Sequence, residues 1–496
     1  MTKIIFWLNA FLLNFCVSHY IQKTHDYELY SIIDVPDKTK NFFEGQNFVN
    51  FQKNWFFNDY VNKPNSIPDL EYLKNFEKKY SIDLWQLGFN ERIFYYYNKL
   101  YKFTQNQILS ILEQECKFFE NILEEVKPDF LIIPEMALHQ EQLFYKLCRK
   151  KGIKTLLLYM SKIGNMCTIS QEYDKFDFLP ILDQIPLKNK TFDDMLSLLK
   201  SKNLEKQTKF YSENFGNSKL NKIKTLIKYI TSDNSNITTH FAYYGRTKTR
   251  VLSNYFSLFL KTKKRKSFLD KNSEFKIHED EKFVLYTLNQ EPEKSILLLA
   301  SYYTNQLEVI RHIAKSLPIG FKLYVKEHFS QSLREWRDIS YYKEILDIPN
   351  VRFYHPSSNI ENLIKKSSLV ISIGGSTPFQ AAFYQKPSIT FADLGYTILP
   401  SVEKLNCLED LPNLIKRTMN LKVDPNDLER YISIIMDNSF NFDFRQYEIS
   451  EANYFRYGGN LHDVEITTEK MEHFLKLNQN NFEMIAEQYI KKLKNI

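Results

Sequence analysis

The chain has 496 residues, 43% of them apolar and 25% charged, with a net charge of +7 and a pI near 8.7. That length exceeds one ordinary domain and fits two or three, and the composition is that of a folded chain with a large core, which excludes a disordered or fibrous protein. The positive excess suits an anionic substrate or a membrane surface and is too weak to argue for nucleic acid.

Five cysteines, Cys16, Cys116, Cys148, Cys167 and Cys407, are scattered with no C-x-x-C pair. Neither a zinc site nor a disulfide framework is expected, and a reducing compartment fits best. At the N-terminus, Lys3 precedes an apolar run from Ile4 to Val17 that is broken by Asn9 and Asn14. A signal peptide with cleavage near Ser18-His19 is one reading. A buried strand over Lys3 to Leu8, then a loop and helix, is favoured because a second strand pattern follows at Tyr27 to Val35. The run is too short to span a bilayer, and no other segment is apolar enough.

Asn41 to Leu87 is aromatic and irregular, with Pro64 and Pro68 as breakers. Gln105 to Val126 carries Ile108, Ile111, Leu112, Phe119, Ile122 and Leu123 on one helical face. Phe130 to Ile133 then reads as a strand buried on both faces. A helix over Leu138 to Lys150 and a strand over Lys154 to Tyr159 complete a βαβ unit. Glu135 falls at the carboxyl end of its first strand, where open α/β sheets bind ligands. His139, one turn on at i+4, is expected on the same side, where it would assist.

From Asp183 to Lys282 strand patterns vanish, and Thr225 to Thr231 and Val251 to Lys261 read as helices. The basic cluster Lys261 to Lys266 reads as a solvated linker, with contact to anionic lipid as the other reading. A second α/β unit starts at Phe283. Strands are expected at Phe283 to Thr287, Lys322 to Glu327, Val351 to Tyr354, Leu369 to Ile373 and Ser388 to Phe391. Helices at Asn305 to Ser316, Trp336 to Leu346, Asn359 to Lys365 and Phe379 to Tyr384 lie between them. Right-handed crossovers make this a doubly wound parallel sheet. Between the fourth and fifth strands lies Gly374-Gly375-Ser376-Thr377-Pro378. Thr377 suits an N-cap and Pro378 the first helical position. Two glycines admit a ligand close to the backbone, and the helix start favours a phosphate. A tight βα turn of any such sheet is the plain alternative. The strand-end loops also carry Glu293, His328 and His355, so one face collects a carboxylate, imidazoles and a glycine turn. After Pro400 the pattern is helical, with Leu411 to Met419, Asp427 to Met436 and Thr468 to Lys492 as segments.

Four regions are expected: 1–182, an N-terminal Rossmann-like acceptor-side domain; 183–282, a mostly helical linker; 283–420, a C-terminal Rossmann-like nucleotide-sugar domain; and 421–496, a helical tail. The fold class is α/β, with two doubly wound parallel sheets facing a cleft in the manner of GT-B glycosyltransferases. No Asp-x-Asp occurs, so metal-independent chemistry with no cofactor is expected.

Phe283 to Pro400 resembles the capsule polysaccharide biosynthesis family, which includes β-Kdo transferases. The matching residues are Pro292-Glu293 with Ser295, Tyr303 to Gln306, Leu323 to His328, Asn350-Val351, Gly374 to Thr377 and Lys386 to Phe391. Two departures stand out. Phe329 replaces the proline of Lys-Glu-His-Pro, and Gln380-Ala381 replaces Glu-Ala. The resemblance implies that His328, Lys326 and Gly374, Gly375, Ser376 and Thr377 hold the donor phosphate. It implies that Gln380 meets the ribose and that Glu293, Tyr303, Asn305 and Gln306 line the cleft. His328 would stabilise the leaving phosphate as a cation or as a hydrogen-bond donor, and Glu327 has a plain alternative as a salt-bridge partner. Glu135 is the candidate base or nucleophile, with His139 beside it in the cleft and Asp393 as a weaker alternative. The implied activity is transfer of a sugar, CMP-Kdo-like or another, from a nucleotide to a lipid-linked or growing glycan. The place is the cytoplasm, with contact to the inner membrane or to export machinery left open. The alternatives are a nucleotide-sugar 2-epimerase and a non-catalytic glycan-binding or assembly protein.

Overall fold

A computed structural model describes residues 1–173, 175–188, 190–200, 219–232, 236–331 and 337–496. Its strands are β1 (Lys3–Asn9), β2 (Glu28–Asp34), β3 (Lys53–Phe56), β4 (Phe130–Ile132), β5 (Lys154–Met160), β6 (Met166–Ser170), β7 (Lys282–Thr287), β8 (Phe321–Lys326), β9 (Val351–Tyr354), β10 (Leu369–Ser372), β11 (Ser388–Thr390), β12 (Val402–Lys404) and β13 (Phe440–Asn441).

They form two sheets, ordered β13-β6-β5-β4-β1-β2-β3 and β12-β11-β10-β7-β8-β9. The second is wholly parallel. In the first, β6 pairs antiparallel with both β5 and β13 near one edge, and the other pairs are parallel. Both sheets start at a central strand, build outward one way, and then reverse. The reversals fall between β1 and β4 and between β7 and β10. Such switch points open a crevice beyond the strand ends. The chain is therefore α/β, with two Rossmann-like doubly wound sheets, a helical linker and a helical tail.

The central strands are apolar on both faces because helices cover both sides. All four residues of β10 are buried, as are Phe283 to Thr287 of β7. The helix Gln105–Val126 spans the residues its periodicity gives, capped by Thr104, whose hydroxyl accepts from Gln107 N–H. The tail crosses back to the first sheet. Phe442, Tyr447, Phe474 and Phe482 pack with Phe6 and Phe15 on its outer face.

Several expectations change. Asn41 to Leu87 is not irregular: it holds β3 and the helices Leu70–Tyr80 and Leu84–Asn90. The basic cluster lies inside the 25-residue helix Lys248–Asn272, which runs past the end expected at Lys261. The last helix breaks at Asn478 into Thr468–Leu477 and Gln479–Asn495. The helix expected from Trp336 starts at Ile339, and Trp336 itself lies outside the described residues. The strand β6 and the edge strands β12 and β13 were not expected.

Candidate active site

The C-terminal switch point is built around Asn289, two residues past β7. Its side-chain Nδ2 donates to Gly374 O at 3.0 Å, tying the loops after β7 and β10 together. Ser372 Oγ donates to the same carbonyl at 2.9 Å. Gly375 takes φ +93°, which a side chain would strain, and an added Cβ would lie 3.4 Å from Asn289 Nδ2. The Gly375 carbonyl accepts from Tyr396 Oη at 2.6 Å. Helix Thr377–Phe383 follows, with Ser376 at the N-cap and Pro378 in its first turn. Thr377 is therefore helical and not the cap. Gln380 Nε2 donates to Ser376 Oγ at 3.2 Å. Ser376, Thr377 and Gln380 are partly exposed.

Behind this turn lies a buried ionic network. Glu327 is fully buried and accepts from Arg337, from Tyr342 Oη at 2.8 Å and from His328 N–H at 2.6 Å. Arg337 Nη2 also donates to Asn289 O at 2.6 Å. Gln306 is fully buried and clamps the Asn289 backbone, accepting its N–H at 2.7 Å and donating to its carbonyl at 3.0 Å. Gln306 therefore does not line the cleft. Its amide holds the loop that does. Glu327 takes its plain role, as the partner of Arg337.

His328 is half-buried just past β8. Ser330 N–H lies 3.3 Å from its Nδ1, and Ser330 Oγ lies 2.8 Å from the same nitrogen. Burial, with the charges of Lys326 and Arg337, lowers its pKa to about 3. The ring is neutral near pH 7, so the cationic role is set aside. With Nδ1 accepting, the remaining proton sits on Nε2 as a donor. Phe329 stacks on the ring with centroids 4.7 Å apart. Lys326 is buried, and its ammonium donates to the carbonyls of Glu327 at 3.2 Å and Pro356 at 3.0 Å. Those contacts join the loops after β8 and β9; the charge reaches His328 as a field. Glu293 and Tyr303 are partly exposed and Asn305 is exposed. Tyr303 packs edge-on against Phe391 at 4.9 Å.

Four contributors lacked a sequence signal. Gln290 Nε2 is buried without a hydrogen-bond partner, while its Oε1 accepts from Ser330 Oγ at 2.9 Å. Arg337 and Tyr396 sit in no motif. Lys162, just past β5 of the other sheet, has its ammonium 5.1 Å from the centroid of the Tyr396 ring, whose hydroxyl binds Gly375. A cation from the first domain thus stands beside the glycine turn of the second. Lys175 pairs with Asp393 at 2.9 Å, and Gln86 donates to Ser301 at 2.8 Å, across the same seam. Asp393 is thereby engaged in an ion pair.

The first sheet has its own switch-point network. Asn9, ending β1, donates to Glu141 at 3.2 Å. Glu141 also accepts the N–H groups of Ala137 at 2.6 Å and Leu138 at 3.2 Å, and burial pushes it up to about 7. Burial also raises Asp34, at the end of β2, which accepts from Gln140 at 3.1 Å. Glu135 is partly exposed in the loop between β4 and helix His139–Lys150. Because Glu135 precedes that helix, the i+4 pairing with His139 does not apply. His139 is buried, not cleft-lining. Its Nδ1 lies 2.9 Å from Glu91 and its Nε2 2.9 Å from Glu115. Burial alone would lower its pKa, yet Glu115 and Glu91 raise it to about 10. It is an imidazolium held between two carboxylates. Next to it Arg92 donates to Ala137 O at 2.5 Å. Burial raises the Tyr97 hydroxyl, and the charge of Glu291 in the second domain adds to that shift.

Among the described residues, no cluster of His, Cys, Asp and Glu is disposed to hold a metal ion, and no helix is long and apolar enough to cross a membrane.

These features give a GT-B-like fold: two Rossmann-like doubly wound sheets that touch along the seam carrying Lys162, Lys175 and Gln86. No family model and no curated protein matches the chain. Among solved structures it is similar to UDP-GlcNAc 2-epimerase from Methanocaldococcus jannaschii, at 13% identity over 88% of this chain and 100% of that one, TM-score 0.25. It is similar to the β-Kdo 2,7-transferase KpsC of Thermosulfurimonas dismutans, at 13% identity over 68% and 88%, TM-score 0.32. A glycosyltransferase from Rickettsia africae matches at 12% identity over 92% and 98%, TM-score 0.24.

Proposed function

We propose that the chain is a glycosyltransferase of capsular or surface polysaccharide assembly. In this reading a nucleotide-activated sugar binds at the C-terminal switch point and is passed to a glycan or glycolipid held by the first domain. The observation that carries it is the set of linked contacts around the Gly374 to Thr377 turn: Asn289 ties the turn to the loop whose Gln290 meets Ser330 beside His328, and Lys162 from across the seam lies against Tyr396, whose hydroxyl holds Gly375. The turn, Gln290, His328 and Lys162 each offer a proton or positive charge to a phosphate, and together they make an anion site that no one of them makes alone.

His328 Nε2–H donates to the phosphate as its charge grows, and Lys162 supplies the cation. Gln380 leaves its Oε1 to accept from a ribose hydroxyl. Glu135 serves as the base toward the acceptor hydroxyl. No metal is needed in this scheme, because protein donors meet the charge on the departing phosphate. The site is expected to face the cytoplasm, where nucleotide sugars are found.

One observation favours a second reading. Asp34, partly exposed at the end of β2, has its pKa raised by burial. A strand-end carboxylate raised in this way suits acid–base chemistry on the sugar itself, as an epimerase needs. The distinguishing experiment incubates the protein with CMP-, UDP- and GDP-sugars, with and without glycan acceptor, and follows products by mass and NMR. Transfer gives an extended acceptor and free nucleotide, and Glu135→Gln lowers its rate by roughly a hundredfold or more. An isomer of unchanged mass formed without acceptor, and lost in Asp34→Asn, selects the epimerase. Binding without turnover selects the non-catalytic protein.

A further inference from the structure

The linker presents an unusual surface. Helix Lys219–Thr231 exposes Ile223 (54%) and Ile227 (56%), one turn apart. Helix Lys248–Asn272 exposes Tyr255 (66%), Phe256 (65%), Phe259 (53%) and Leu260 (49%) along one stripe. The two helices adjoin, since Lys248 Nζ donates to Ile230 O at 2.6 Å and Ser232 O at 2.5 Å. Only Arg265 and Leu269 of the longer helix are buried, and Arg265 pairs with Asp338. The helix is fixed to the second domain near its C-terminal end, while its first two-thirds stands away from the core.

Charge marks the same surface. Between Lys219 and Leu269 the sequence holds twelve Lys and Arg against one acidic residue, Asp233, a surplus larger than the whole chain's +7. Lys261, Lys263 and Lys264 are exposed just past the apolar stripe, and Lys263 Nζ lies 5.0 Å from the Phe259 ring centroid.

We propose that this surface docks the protein on an anionic membrane, with the Tyr255 to Leu260 stripe entering the headgroup–acyl boundary and the lysines meeting lipid phosphates. Both halves of the observation are then used, because such a boundary offers negative charge above and hydrocarbon below. Lysine stems beside the stripe keep their ammoniums at the headgroups. A second copy of the chain would bring like charge to like charge. Nucleic acid would answer the lysines and leave the aliphatic residues without a partner.

The test is co-sedimentation of the full chain with vesicles of phosphatidylcholine, with and without phosphatidylglycerol. Binding to the anionic vesicles alone is expected, falling as salt rises. Phe256→Asp with Phe259→Asp is expected to abolish it, and Lys261→Ala with Lys263→Ala and Lys264→Ala to weaken it roughly a hundredfold. Both variants should keep the wild-type melting transition, as the positions are exposed. The proposal is overturned by absence of binding to anionic vesicles, or by binding that neither variant changes. A dimer in the ultracentrifuge that the Phe256→Asp, Phe259→Asp pair dissolves overturns it too, as does capture by nucleic acid in preference to vesicles.

Discussion

Arg337→Ala is expected to cost roughly 3–5 kcal/mol and to abolish nucleotide binding together. Glu327 is fully buried, and Arg337 is its only basic hydrogen-bond partner among the described residues. Removing the guanidinium leaves a carboxylate without a counter-charge in the interior, which is far costlier than losing a surface pair. The substitution also frees the Asn289 carbonyl that Arg337 holds at 2.6 Å. Asn289 then loses part of what orients its amide on Gly374, so the glycine turn loosens. Arg337→Lys should not rescue, because one ammonium cannot serve two carboxylate oxygens and a carbonyl in the guanidinium's fork geometry. Arg311→Ala is the control. Its partners Glu308 and Glu344 are about half-exposed, and a change of under about 1 kcal/mol is expected. Urea denaturation and nucleotide titration check both. An Arg337→Ala protein of wild-type stability would contradict the account.

His139→Leu is expected to destabilise by a similar roughly 3–5 kcal/mol, and the loss should grow from pH 5 to pH 8. The variant leaves Glu91 and Glu115 buried with no imidazolium between them. At low pH the carboxylates take up protons and the loss shrinks; at pH 8 they face each other as charges. In the wild type the sign is fixed by the raised pKa. The folded state holds the His139 proton up to about 10, whereas the unfolded chain releases it near 6.5. Its stabilisation is therefore full below 6.5 and is lost as pH climbs through 10. Glu141 acts in the same direction over a lower window. Its pKa of about 7, above the usual 4.5, makes stability fall between those two values as pH rises. Melting temperatures across pH 5 to 10 read both, with Glu141→Gln flattening the lower part of the curve. A wild-type curve that rises from pH 7 to 10 would rule out the charged His139.

Much of the second sheet was legible because its central strands are short apolar runs ended by glycine, histidine and proline at regular spacing. Hydrophobic pattern finds such strands, and the crossover rule then orders them. The edge strands were illegible for the converse reason. β3 reads Lys-Asn-Trp-Phe with one buried residue, and β13 has two residues in all. The helix Lys248–Asn272 runs on through Lys261 to Lys266, where no apolar period marks it, since Arg265 is held by Asp338 instead of by packing. At the site, the turn and His328 could be placed from strand ends. Their supports could not. Arg337 and Glu327 are 10 residues apart and Asn289 and Gly374 are 85 apart, so their meeting is a property of the fold. His139 was misplaced by treating Glu135 as helical, when the helix begins at His139 itself.

The central claim is an anion site at the C-terminal switch point, and it is most directly tested by nucleotide-induced thermal shift. CMP, UDP, GDP and their sugar conjugates are screened against wild type, His328→Ala and Lys162→Ala. A ligand at a hundred times its dissociation constant stabilises by about 2.7 kcal/mol. One nucleotide class should raise the wild-type transition, and both variants should lose most of that rise at unchanged apo stability. No shift with any nucleotide, or a shift that both variants retain in full, would contradict the account.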